Sequence, residues 1–280
     1  MKILSPAKIN LFLQITGKRP DGYHELFSLM CCVDLYDTIF LRFGGKTIEI
    51  ESNHPHIPLD ETNLAHKAAA LFFKTLHVND GLKITIEKSI PVAAGLGGGS
   101  SNAASVLQAL NKRYGCPFSQ DRLLSLGLGL GADVPFFIFR RPAFASGIGE
   151  ILEAYPGHLP YHILLVYPEV KVSTGEVFRN LNLRLTKCKK KITNSLLKKF
   201  GFDAAQHLCN DLETVTASKY PVINSIKKQL LAHGALGALM SGSGPTVFGL
   251  FSDPGKAGKA REALCANFRC SAYLADIISE

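Results

Sequence analysis

The chain has no tryptophan, no C-x-x-C pair, and no apolar run long enough to read as a membrane span. Its longest apolar stretch, residues 123–139, is interrupted by Gly127, Gly129, Gly131, Asp133 and Pro135. The opening residues do not read as a signal peptide, because Lys8 and Asn10 break the apolar N-terminus and a strand-like pattern follows. The seven cysteines (Cys31, Cys32, Cys116, Cys188, Cys209, Cys265 and Cys270) are odd in number and scattered. They fit reduced thiols in the cytoplasm better than a disulfide or zinc framework. Nine histidines are scattered too, and His54 and His56 have no cysteine or carboxylate cluster beside them, so no histidine metal site is expected. No RNA-binding signature of aromatic and basic residues is present. What these absences leave is a soluble globular protein. Its 280 residues, 46% hydrophobic, suffice for one large domain or two of ordinary size.

Charge is unevenly spread. Residues 184–199 carry Arg184, Lys187, Lys189, Lys190, Lys191, Lys198 and Lys199 without one acid, and without those seven the net charge of +8 falls to +1. A solvated surface segment is the plain reading; attraction of a polyanion or nucleic acid is the functional one. The basic charge is local, so nucleic acid and membrane are not expected as partners.

Hydrophobic periodicity predicts strands near 2–4, 7–15, 33–43, 47–51 and 82–87, and helices over 63–75, 100–112 and from Ser119 to about 128. Short strands fit 134–139 and 143–146. Two prolines and a glycine between Tyr155 and Pro160 suggest a linker, dividing the chain into domains 1–157 and 158–280. Beyond it the pattern gives strands at 161–167, 235–240, 245–251 and 271–276. Helices follow near 174–181, 192–199, 203–215, 221–233 and 254–267. Mixed elements in both halves predict two α+β domains.

The most informative segment is Pro91-Val92-Ala93-Ala94-Gly95-Leu96-Gly97-Gly98-Gly99-Ser100-Ser101. A strand pattern precedes it and a helix pattern follows, so backbone N–H groups at a helix N-terminus can meet an anion there. It is not a P-loop, since no lysine follows Gly99. Nor is it a dinucleotide fingerprint, since Ser100 stands where the third glycine belongs. Ser100 and Ser101 are candidates to cap the helix, contact phosphate or help hold Mg²⁺. Two further segments stand out. Lys8, Asn10 and Phe12 share one side of an N-terminal strand, and Asp133 is a lone carboxylate in an apolar stretch.

Together these segments resemble the GHMP superfamily of small-molecule kinases, as does a C-terminal glycine loop, Met240-Ser241-Gly242-Ser243-Gly244-Pro245-Thr246. The resemblance runs from about Ser5 to Phe251. The runs Pro6 to Leu13 and Arg19 to Leu26 resemble the branch that phosphorylates a methylerythritol bearing cytidine diphosphate, in isoprenoid precursor synthesis. The resemblance implies a ribosomal-S5-like N-terminal domain and a ferredoxin-like C-terminal one. It implies ATP and Mg²⁺ as cofactors, with Lys8 and Asp133 catalytic and the 91–101 loop on the triphosphate. It also implies that Tyr23 and His24 hold the cytosine end with Phe178 packed on it, that Asn10 lies near the acceptor, and that Asn63 lies near the nucleotide. Val172-Ser173-Thr174-Gly175 departs from the family pattern next to Phe178, and Ala93 stands where glycine is common. Lys8 beside Asp133 would keep the carboxylate ionised for proton abstraction; a purely structural ion pair is the alternative. Kinases of sugars, homoserine or mevalonate are the nearest rival readings, and an RNA-binding protein is the rival from another class.

Overall fold

A computed structural model describes residues 1–182, 188 and 192–279. The chain forms two compact units, each discontinuous in sequence. One holds 1–7, 35–92 and 97–140; the other holds 8–34, 93–96 and 141–280. Two long strands, β1 (Lys2–Lys18) and β2 (His24–Phe43), contribute to both.

In the first unit β3 (Ile48–Ser52) pairs parallel with β4 (Leu82–Glu87), which pairs antiparallel with the end of β2. Register aligns Ile50, Ile84 and Leu41 across the three strands, one buried row of branched side chains. Helix α1 (Leu64–Leu76) covers this sheet. It starts where Asn63 accepts the Ala65 N–H at 2.9 Å and ends at His77, whose φ of 57° stops the helix. Its Phe72 is fully buried, worth about 1.5–3 kcal/mol. Helix α2 (Gly98–Arg113) packs on α1, with α3 (Gln120–Leu128) and α4 (Val134–Phe139) beside it.

The second unit adds the hairpin β5 (Ala143–Ser146) and β6 (Ile151–Ala154), with β5 antiparallel to the start of β2. It also holds an antiparallel sheet in the order β11 (Ser271–Asp276), β7 (His162–Tyr167), β10 (Val247–Phe251), β9 (Gly237–Met240). Counted along the chain, that order is fourth, first, third, second, the ferredoxin-like arrangement. Helices α9 (Val222–Ala232) and α10 (Pro254–Asn267) cover the sheet around Leu164, Val166, Ile226, Val247 and Leu264. Between β7 and α9 lie α5 (Thr174–Arg179), α6 (Asn194–Phe200), α7 (Ala204–His207), β8 (Cys209–Asn210) and α8 (Glu213–Lys219).

Several elements differ from the sequence expectation, each for a physical reason. Residues 134–139 form a helix, not a strand. Pro135 presets the first turn, and Val134 to Ile138 are all buried, so no period was available to distinguish helix from strand. The helix expected over 203–215 is split by β8, because Cys209 and Asn210 pair with Phe12 and Leu13 of β1, a tertiary contact that overrides local propensity. Strand β2 begins nine residues before its expected start at 33, because Leu29 to Val33 are buried in succession and show no alternation. The mostly exposed β6, four residues long, is too short to show a period.

The cysteine reading also changes. Cys188 and Cys209 form a disulfide, with Cα atoms 5.5 Å apart. The fold carries residue 188 alongside β8, a proximity that spacing could not reveal. The other five cysteines are free thiols. Of the basic run, Arg184, Lys187, Lys189, Lys190 and Lys191 lie outside the described residues, while Lys198 is ion-paired with Glu153. Among the described residues no helix is long and apolar enough to cross a membrane.

Candidate active site

Alternation along β1 puts Lys8 and Asn10 on one side of the strand, and both are buried. Lys8 Nζ donates to Asn10 Oδ1 at 2.6 Å, Asn10 Nδ2 donates to Ser28 Oγ at 2.8 Å, and Ser28 Oγ donates to the Phe12 carbonyl at 2.6 Å. The carbonyl can only accept, so the single Ser28 proton is committed to it and Ser28 must accept from the amide. That orders the Asn10 amide, with its oxygen toward the lysine ammonium. One serine in an apolar run carries no sequence signal, so the place of Ser28 is visible only in the fold.

The two glycine segments meet in the second unit, where β1 joins them. Lys8 N–H donates to the Leu96 carbonyl at 3.0 Å. Ser241 Oγ donates to the Gly95 carbonyl at 3.0 Å, and Thr246 N–H to that of Ala94 at 3.3 Å. A Cβ added to Gly242 would lie 3.5 Å from both Lys8 Nζ and Asn10 Oδ1, in ordinary contact, and a tight 3.2 Å from the Gly95 carbonyl oxygen. With φ of 56° the position favours glycine. Residues that carried no sequence signal brace the second loop. Asn210 Nδ2 donates to the carbonyls of Met240 (2.8 Å) and Gly242 (2.7 Å), Glu213 accepts the Met240 N–H at 3.1 Å, and Thr216 donates to the Ser243 carbonyl at 3.1 Å.

On the same unit, Tyr23 is exposed in a turn closed by Arg19 N–H to the Tyr23 carbonyl at 2.7 Å. His24, the buried first residue of β2, has its ring centroid 5.5 Å from that of Phe178, with the planes 31° apart. Phe178 on α5 also packs against the core of the unit, so core packing and the ring pair coexist. Burial, and secondly the Lys18 charge, hold the His24 imidazole below its ordinary pKa. The ring is therefore neutral near pH 7.

In the first unit, α2 begins after Gly97, which has no side chain to cap the N–H groups of the first turn. Ala93, in the segment of the loop that belongs to the second unit, adopts a left-handed φ of 53°. Ala94 and Leu96 are buried, Pro91 and Val92 half-buried, and Gly99 exposed. Ser101 is fully buried, its hydroxyl 2.9 Å from that of Ser5, whereas Ser100 is half-buried in the first turn of α2. Asn63 uses both ends of its amide, capping α1 and donating to the Pro58 carbonyl at 2.8 Å. Asp133 is half-buried at the N-cap position of α4 without capping that helix.

Comparison with known proteins adds a family. The model of the GHMP kinases N terminal domain matches residues 63–141, and that of the GHMP kinases C terminal region matches residues 190–270. The chain is 46% identical over 278 residues to the 4-diphosphocytidyl-2-C-methyl-D-erythritol kinase of Syntrophotalea carbinolica, covering 99% of each chain. It is 43% identical over 265 residues to the protein of that name from Geobacter metallireducens, covering 94% of each. A crystal structure of 4-(cytidine 5'-diphospho)-2C-methyl-D-erythritol kinase is similar with a TM-score of 0.81 and 35% identity, over 98% of this chain and 99% of that one. The homoserine kinase of Cytophaga hutchinsonii shares the fold, with a TM-score of 0.78 at 20% identity, over 100% of this chain and 95% of that one.

Proposed function

The chain belongs to the GHMP kinases, within them to the 4-diphosphocytidyl-2-C-methyl-D-erythritol kinases, and from that membership we propose how its own residues perform the reaction. It is an ATP-dependent small-molecule kinase of the methylerythritol phosphate route to isoprenoid precursors. We assign the 2-hydroxyl of the methylerythritol as the acceptor atom. The γ-phosphorus–oxygen bond to the ADP leaving group breaks, a bond to the acceptor oxygen forms, and the hydroxyl proton goes to Asp133.

A tertiary alcohol is a weak nucleophile, so removing its proton during attack matters, and Asp133 is the carboxylate assigned to it. Lys8 steadies the alkoxide or the transferring phosphoryl, and Asn10 serves the acceptor through Lys8, whose ammonium it aims. The 91–101 segment presents backbone N–H groups to the triphosphate, while Asn63 holds the chain entering α1 near the nucleotide. No cluster of three His, Cys, Asp or Glu suited to a metal occurs among the described residues, so a magnesium ion would be held chiefly by the substrate phosphates, with few protein oxygens. Ser100 is the hydroxyl assigned to it, since Ser101 is engaged with Ser5. When bound, the ion neutralises phosphate charge. Tyr23, His24 and Phe178 hold the cytosine. The observation that carries this reading is the meeting of Lys8, Asn10, Gly95 and Gly242 in one cluster.

Two outcomes test the acceptor end. His24→Ala raises the acceptor KM about tenfold while the ATP KM stays within about twofold, because a stacked aromatic contact and a hydrogen bond are lost. An unchanged acceptor KM contradicts the clamp. The pH dependence has a definite sign. His24 stays neutral at and above its ordinary pKa of 6.5 and gains a proton only below it, so the acceptor KM is flat at neutral pH and rises on the acid side of 6.5. His24→Gln removes that acid-side rise.

A further inference from the structure

One buried carboxylate ties together the chain on both sides of the glycine loop. Asp37, on β2, is fully buried. Its Oδ1 accepts the N–H groups of Ser89 and Ile90, each at 2.9 Å. Its Oδ2 accepts from Asn102 Nδ2 at 3.0 Å and from the Lys88 ammonium. These four donors fill the acceptor capacity of a carboxylate. Lys88, Ser89 and Ile90 lead directly into Pro91, and Asn102 sits in the second turn of α2, just past the loop.

Lys88 is itself buried against this helix start. Its side chain is 3% exposed, and its Nζ lies 3.0 Å from where a Cβ on Gly98 would stand, against the opening turn of α2. An ammonium beside the positive end of a helix is unfavourable by itself. Asp37 supplies the opposite charge there. Asn102 Nδ2 also reaches Ser5 Oγ at 3.2 Å, and Ser5 Oγ meets Ser101 Oγ at 2.9 Å, so the same network fixes the first turns of α2 to β1.

The geometry points to Asp37 as a positioning residue for ATP: it fixes the entry and exit of the phosphate loop so that the loop amides and the α2 N-terminus are set before the triphosphate arrives. This rests on the reading of residues 91–101 as the triphosphate cradle. A preset anion site needs little reorganisation on binding, whereas one that must first be ordered loses affinity by that cost. None of the residues that Asp37 holds reads as special in the sequence, because the network exists only once β2, the 88–90 segment and α2 are side by side.

The test is steady-state kinetics on Asp37→Asn, which keeps the shape but turns an amide donor toward Lys88 or the backbone N–H groups. The ATP KM rises at least about tenfold and the acceptor KM stays within about twofold, as expected for losing hydrogen bonds to a charged group on one substrate's side only. A general loss of structure would move both constants. Asn102→Ala, a neutral change that removes one tether, raises the ATP KM about threefold with the acceptor KM unmoved, and it decides alone if Asp37→Asn does not fold. An ATP KM within twofold of the parent in a folded variant overturns the proposal. Ser100→Glu separates this from the underlying reading. It puts a carboxylate in the first turn of α2, so an unchanged ATP KM there contradicts the loop as the ATP site. A raised ATP KM in Ser100→Glu without an effect of Asp37→Asn contradicts Asp37 alone.

Discussion

Asp133→Asn lowers kcat by about 10²- to 10⁴-fold, with both KM values little changed, the range expected when a general base is replaced by a group that cannot take the proton. The carboxamide has the size and shape of the carboxylate, so positioning of the acceptor survives while proton transfer does not. The side chain does not cap α4, whose first turn is set by Pro135, so no helix-capping bond is lost with the charge. A fall in kcat and kcat/KM together is the signature of an interaction made only in the transition state. Turnover within a few-fold of the parent contradicts the general-base role and leaves catalysis to positioning and charge.

Gly95→Ala acts on the architecture instead. An added Cβ would stand 2.2 Å from the Ser241 carbonyl oxygen and 3.0 Å from the Gly244 nitrogen, and Gly95 has φ of 78°. Neither neighbour can yield easily: Ser241 N–H donates to Thr246 at 2.9 Å and Gly244 N–H to the Ser241 carbonyl at 2.9 Å. The left-handed backbone and the overlap together cost about 2–5 kcal/mol. Separating the two glycine segments also displaces the backbone of Gly242 beside Lys8, so kcat falls with stability. Gly115→Ala is the matched control. Its φ is 79°, but nothing lies within 4 Å of the added atom, so it loses only the backbone part, about 1–2 kcal/mol. Urea midpoints of the two variants measure the difference. Equal losses contradict the close approach of the two loops.

Much of this architecture was legible because it is written in local patterns. Strand β4, α3 with its Ser119 cap, α10 and β11 follow from periodicity and end signals, and the ferredoxin-like sheet follows from the resemblance carried by the glycine motifs. What escaped is what depends on packing. The all-buried 134–139 segment has no period, and the two-residue β8 exists only because β1 runs beside it. The Cys188–Cys209 disulfide joins positions that spacing does not connect. The site shows the same division. Lys8, Asn10 and both glycine loops stand out by residue type and motif. The groups that hold them, Ser28, Asn210 and Asp37, are ordinary polar residues whose importance lies in which buried donors and acceptors they satisfy.

The central claim is the identity of the acceptor. ³¹P NMR of the protein with ATP and Mg²⁺ compares 4-diphosphocytidyl-2-C-methyl-D-erythritol with homoserine, mevalonate and galactose. The account predicts a new phosphomonoester resonance, growing in step with ADP, only with the cytidine diphosphate compound. Turnover of homoserine, mevalonate or galactose, with none of that compound, would contradict it.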